Sequence, residues 1–220
     1  MVLGATGLTG GQVVRGLLDR PEVEEVITPV RRKTGPDHPK LTQCELDFDR
    51  LDDHAGLFAV DAIVCCLGTT IKQAGTREQF RKVDYGYCLH AARLGREAGA
   101  RALVLMSAIG ASSSSTIFYN RVKGELEDAL RALEFPYLSV YHPSLLLGDR
   151  AEQRTAEAVG IKLMPWVNRA LIGPLEKYRG VPAATVAAAM VNEVCTLAAE
   201  VPAERVDQTR TYAEIRRLAG

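Results

Sequence analysis

Short apolar runs alternate with segments of helical period along most of this chain. The runs fall near residues 1–4, 24–30, 42–47, 61–67, 101–107 and 137–142, with a shorter one near 178–182. Between them, apolar positions recur at helical spacing over Gly10 to Arg20, Leu51 to Ala59, Arg77 to Ala98 and Ile117 to Leu133. Such alternation predicts βαβ units, and right-handed crossovers wind them into a doubly wound, mostly parallel sheet with helices on both faces. The ligand crevice of such a sheet lies beyond the carboxyl ends of its strands, so chemistry is expected just after strands. The regular alternation lapses from residue 151 to 175, where a helical stretch is broken by Pro165 and Pro174. We expect residues 151–180 to form a lid over a substrate site, with Leu163, Met164, Trp166 and Val167 serving either as its apolar lining or as core. Two closing helices are expected over 182–199 and 212–218. All 220 residues form one domain on this reading, with Ser112 to Ser115 the single low-complexity patch.

The first strand runs directly into Gly4-Ala5-Thr6-Gly7-Leu8-Thr9-Gly10, and an apolar-periodic segment with Val13, Val14, Leu17 and Leu18 follows. Glycines at this spacing suit a tight reversal, close approach of backbone to a pyrophosphate, and close packing of helix on strand. The free amides at the helix start, and the positive end of its dipole, then hold the phosphates. The expected fold is therefore α/β and Rossmann-like, a three-layer α/β/α sandwich.

Composition narrows the partners. Hydrophobic residues make up 47% of the chain, enough for one good-sized core, and 27 basic residues balance 27 acidic ones. A neutral chain without a basic-aromatic pattern gives no reason to expect nucleic acid or an anionic membrane, and a small molecule is the expected partner. No apolar run reaches membrane-spanning length, and the early glycine turn leaves no room for a signal peptide, so a cytoplasmic protein is expected. Cys44, Cys65, Cys66, Cys88 and Cys195 show no paired spacing, which points to reduced thiols rather than a disulfide framework or a metal site.

Chemistry is sought at the strand ends. Arg31-Arg32-Lys33 follows the second strand, where guanidinium groups suit the 2′-phosphate of NADP and a carboxylate would suit NAD. Asp47, in Leu46-Asp47-Phe48, either bonds an adenine amino group or caps the segment that follows. Gly68 and Thr69, in Cys65-Cys66-Leu67-Gly68-Thr69-Thr70, either touch the middle of the cofactor or simply end a strand. Tyr119 and Lys123 are four apart on a helical segment and share a face, twelve residues beyond Ser107. A serine hydroxyl there can bond a substrate carbonyl that the tyrosine protonates, while the lysine cation favours the phenolate and binds the nicotinamide ribose. The alternative is a helix-surface pair beside a polar loop. His142, after the sixth strand, faces the crevice by topology, though a lone histidine there is more often hydrogen-bonded structure.

These residues, with Val83-Asp84, Gly110-Ala111 and Tyr119 to Glu125, resemble the atypical short-chain dehydrogenase/reductases, and within them the TIP30/CC3 (Tat-interacting protein) group and its bacterial relatives. The resemblance covers Met1 to about Arg150 and, more weakly, Val181 to Met190. It implies NADP(H) as cofactor, held by Gly4, Thr6, Gly7, Leu8, Thr9, Gly10, Arg31, Arg32, Asp47, Phe48, Leu67, Gly68, Thr69, Thr70, Lys123, His142 and Pro143. It implies Tyr119, Lys123 and Ser107 as the catalytic set for reduction of a small carbonyl-type substrate. The group usually shows two serines where this chain has Met106-Ser107, and Arg where it has His142. Several members of the wider family bind NADP without known turnover and act on protein partners, so a nucleotide-sensing interaction protein is the alternative function.

Overall fold

A central sheet of five parallel strands, in the order β1-β4-β5-β6-β9, carries the fold. These are β1 (Val2–Leu3), β4 (Ala62–Cys65), β5 (Ala102–Met106), β6 (Tyr137–Tyr141) and β9 (Val206–Arg210). The computed structural model describes residues 1–35, 37–148, 173–199 and 202–220. Most of the expected lid, with Leu163, Met164, Trp166 and Val167, lies outside the described residues. A parallel pair, β2 (Val26–Val30) and β3 (Leu41–Glu45), lies alongside β1. The chain thus runs outward from β1 and returns on its other side as β4. That reversal between β1 and β4 is the switch point at which open α/β sheets bind ligands.

Side chains alternate across the strands and so divide the core. Leu3, Ile63, Leu103 and Leu138 face a layer built from a 3-10 segment (Phe48–Phe58), α4 (Cys88–Glu97) and α5 (Phe118–Arg131). Val2, Val64, Val104 and Tyr141 face the opposite layer, made of α1 (Gly10–Leu18), α6 (Ala183–Ala199) and α7 (Tyr212–Ala219). Central strands buried on both faces read as continuous apolar runs, which is why they are visible in the sequence. Burying one such leucine contributes about 1.5–3 kcal/mol.

Several expectations need correction. The helix expected over Arg77 to Ala98 is three consecutive pieces: α3 (Arg77–Arg81), a π-helical turn (Lys82–Tyr87) and α4. The expected strand near 178–182 shrinks to β8 (Val181–Pro182), which pairs with β7 (Leu146–Leu147) after a 3-10 turn over Gly173–Tyr178. A four-residue helix, α2 (Ile71–Ala74), follows β4. β9 was not foreseen at all. Its residues alternate between half-buried and exposed, and Gln208 and Arg210 bond Tyr137 and Glu193 instead of filling an apolar core.

Candidate functional site

The glycine turn closes as its spacing requires. Gly4 has φ +76°, and a Cβ on it would stand 2.5 Å from the carbonyl oxygen of Cys66. A Cβ on Gly10 would stand 2.2 Å from the carbonyl oxygen of Gly4, which also accepts the Gly7 N–H at 2.9 Å. Strand end, turn and helix start are therefore in direct backbone contact. Thr9, at the N-cap of α1, makes no side-chain capping bond, and the amides of Gly11, Gln12 and Val13 turn back, the first to the Gly7 carbonyl and the other two to that of Thr9. The helix start at the switch point thus carries the donor array and dipole end that suit an anion, and the turn fits a bound pyrophosphate.

The opposite wall is the segment after β4. Gly68 is exposed, and Leu67, Thr69 and Thr70 are half-buried. Thr69 donates its N–H to Asp84 Oδ2 at 2.7 Å, and Thr70 caps α2 by accepting the Gln73 N–H at 3.1 Å. Asp84 sits in the π-helical turn, a feature common at functional sites. Its Oδ1 lies 2.8 Å from Lys123 Nζ, with only 1% and 6% of the two side chains exposed. Burial, the largest single influence, would pull the lysine pKa down; the Asp84 carboxylate, together with Tyr119 and Cys88, outweighs it and holds the group above its ordinary value. A Cβ on Gly68 would approach Asp84 Oδ1 to 3.0 Å and Lys123 Nζ to 3.4 Å, so glycine leaves this pair its room. Tyr119 lies one turn earlier on α5, half-buried, its ring 5.6 Å from that of Phe80. A phenolate at Tyr119 would favour the charged lysine further.

Ser107 has different neighbours. Buried at the end of β5, it donates its hydroxyl proton to Glu127, and His142 Nε2 lies 2.8 Å from the same carboxylate oxygen. Arg131 stands 3.6 Å from the other oxygen. The structure thus joins Tyr119 with Lys123 through α5, and Ser107 with His142 through Glu127. Arg31 and Arg32 are exposed just beyond β2. Asp47 is exposed and accepts the Asp49 N–H at 2.9 Å, which is a capping bond. Phe48 is buried with its ring 5.4 Å from Tyr87, and the buried Pro143 accepts the Ile109 N–H through its carbonyl at 3.0 Å.

Asp84, Glu127 and Gly124 hold the site together; Asp84 and Gly124 lie within the motifs that carry the resemblance but had no role assigned there, and Glu127 was not singled out. A Cβ on Gly124 would stand 2.1 Å from the Ser112 carbonyl carbon, so this glycine lets the serine-rich loop lie against α5. The signal for Glu127 was present in its spacing, since Tyr119, Lys123 and Glu127 recur every four residues along one helix face. All five cysteines are unpaired thiols, and among the described residues no cluster of His, Cys, Asp and Glu could hold a metal. No described helix is long and apolar enough to cross a membrane.

A glycine turn at the switch point of a five-stranded parallel sheet flanked by helices defines a nucleotide-binding Rossmann fold. More particularly, the chain belongs to the NAD(P)H-binding family, whose family model matches residues 4–194. It is similar to Protein HTATIP2 of Rattus norvegicus, with 35% identity over 201 residues that cover 88% of this chain and 79% of the relative. It is similar also to Protein FMP52, mitochondrial, of Lodderomyces elongisporus, with 35% identity over 164 residues that cover 70% and 69% of the two chains. Among solved structures, the UDP-glucose 4-epimerase of Thermotoga maritima with UDP-glucose superimposes with TM-score 0.65 at 15% identity, covering 98% of this chain and 87% of that one. MoeE5 in complex with UDP-glucose and NAD gives TM-score 0.65 at 14% identity, covering 94% and 73%. At such identities the solved structures speak for the fold alone. The expectation of a cytoplasmic protein is corrected by the fungal relatives, which are named as mitochondrial proteins.

Proposed function

We propose that this chain is an NADP(H)-dependent oxidoreductase that interconverts a small carbonyl compound and its alcohol. The observation that carries the reading is Tyr119 and Lys123 on one face of α5, with the lysine held charged beside Gly68 at the switch point. An unassisted phenol is a poor acid at neutral pH, and a cation one turn away makes its proton easier to give up. NADPH, when bound, supplies the hydride. Tyr119 then gives its phenolic proton to the substrate oxygen as the carbonyl carbon accepts that hydride, and an alcohol leaves. Lys123 orients the nicotinamide ribose and favours the phenolate. Gly4, Thr6, Gly7, Leu8, Thr9 and Gly10 hold the pyrophosphate. Arg31 and Arg32, exposed and close in sequence to the end of β2, suit a 2′-phosphate better than a ribose hydroxyl, which favours NADP over NAD. Asp47, Phe48, Leu67, Gly68, Thr69, Thr70, His142 and Pro143 line the remaining path on this reading.

One observation favours a second reading, in which the chain senses NADP(H) and signals to a protein partner without turnover: the Lys123 cation is already paired with Asp84, and the Ser107 proton is already given to Glu127. Tyr119→Phe separates the two. The oxidoreductase reading expects a carbonyl-reducing activity found in a ketone and aldehyde screen to fall at least a hundredfold, with NADPH binding kept. Unchanged activity in the variant defeats it and leaves the sensor.

A further inference from the structure

The floor of the crevice carries a hydrogen-bond direction that the Tyr-Lys pair does not explain. Ser107 and His142 are the first residues beyond β5 and β6, neighbouring strands whose ends pair Met106 with Tyr141. Both bond one oxygen of Glu127, whose side chain is 5% exposed; His142 is the more open of the two partners at 18%. Arg131 stands 3.6 Å from the second carboxylate oxygen and reaches Asp128 and Asp207 at 3.4 Å each. A glutamate carboxylate only accepts hydrogen bonds. Ser107 has one proton and it points at Glu127. His142 must then carry its own proton on Nε2.

We propose that Glu127 is a positioning residue that turns the Ser107 hydroxyl away from the crevice, so that the ligand group seated at Ser107 is a hydrogen-bond donor, an alcohol hydroxyl rather than a carbonyl oxygen. The inference rests on the oxidoreductase reading and deepens it. Ser107 presents lone pairs, so the alcohol is held at Ser107 as donor, and the carbonyl form, having no proton, finds no partner there. Replacement by glutamine reverses the arrangement. Arg131 keeps the amide oxygen on its side, the amide nitrogen turns to Ser107 and His142, and Ser107 becomes free to donate its proton into the crevice.

The experiment compares cyclohexanol bound to the NADPH complex with cyclohexanone bound to the NADP⁺ complex, dead-end pairs in which no hydride can move. It does so for the wild type and for Glu127→Gln, with the imidazole ¹⁵N spectrum of His142 recorded alongside. The wild type is expected to hold cyclohexanol more tightly and to show the Nε2–H tautomer. Glu127→Gln is expected to move the ratio roughly tenfold toward cyclohexanone, about the worth of one net hydrogen bond, and to move His142 to the Nδ1–H form. A wild type that prefers the ketone, or a ratio unmoved in the variant, overturns the proposal. Should Glu127→Gln not fold, Ser107→Ala carries the test: the alcohol preference must vanish, and its survival overturns the proposal. If neither compound binds a wild type that does bind NADPH, the carbonyl-substrate reading falls instead. The His142 tautomer then decides the role of Glu127, and an Nδ1–H ring in the wild type overturns it.

Discussion

Replacing Asp84 by asparagine removes one charge from an ion pair that is almost wholly inside the protein. Asparagine keeps an oxygen for the Thr69 N–H, so that bond survives, while its amide nitrogen stands where Oδ1 accepted from Lys123, so the perturbation is the charge together with that bond. Lys123, 6% exposed and previously 2.8 Å from its counter-ion, becomes an uncompensated buried cation. Breaking a buried pair from one side costs about 3–5 kcal/mol. In a chain of this size each kcal/mol moves the melting temperature by roughly 2–4 °C, so a fall on the order of 10 °C is expected. Lys123→Met alone leaves the opposite charge stranded and costs a similar amount. Asp84→Asn with Lys123→Met removes both charges and is expected to lose far less than the sum. Urea unfolding at neutral pH reads all four proteins. The sign of the pH dependence is also fixed. The folded-state pKa of Lys123 is raised, so its contribution is full below the ordinary lysine value of 10.5 and is lost as pH climbs through the higher folded value. In the wild type this contribution therefore stays constant from pH 7 to 9, whereas in Asp84→Asn burial alone pulls the lysine pKa down, so the variant regains stability as that lysine gives up its proton and the gap is expected to narrow as pH rises. A cost below about 1 kcal/mol, or strict additivity in the cycle, refutes the reasoning.

The turn and the thiols give two further tests. Gly10→Ala places a methyl where 2.2 Å separates it from a backbone oxygen, and since neither group can swing aside, nucleotide binding should weaken at least a hundredfold by calorimetry; unchanged binding would show that the turn relaxes freely. Burial pushes the Cys66 thiol far above its ordinary range, so it should resist a thiol reagent at pH 8 in the folded protein and react only on unfolding. Rapid labelling of Cys66 in the native state would contradict its placement against Met190.

The sequence reveals this fold where burial is two-sided and hides it where burial is polar. Leu103, Val104 and Leu105 announce a central strand because both faces of β5 meet apolar layers. β9 gives no such sign, because its inward residues Gln208 and Arg210 serve a buried network around Glu193 and Tyr137. The break in the long helix is hidden for a related reason. A π turn leaves the apolar period of Phe80, Ala91 and Leu94 nearly intact while it seats Asp84 in the interior for Lys123. In the site, residues whose job is set by backbone geometry were legible, Gly4 and Gly10 above all. Ser107 was legible as a residue but not as a geometry, because its partner Glu127 is twenty positions away on another element. Asp47 shows the same limit, since one carboxylate type suits both a capping bond and an adenine contact and only the fold records its bond to Asp49.

Nucleotide binding underlies both proposed functions, and a fluorescence titration with NADPH and NADH side by side tests it most directly. Tight binding of NADPH, with NADH at least tenfold weaker and the difference abolished by Arg31→Ala with Arg32→Ala, is the predicted result. Binding of neither nucleotide, or a preference for NADH that the arginine variants leave unchanged, would contradict it.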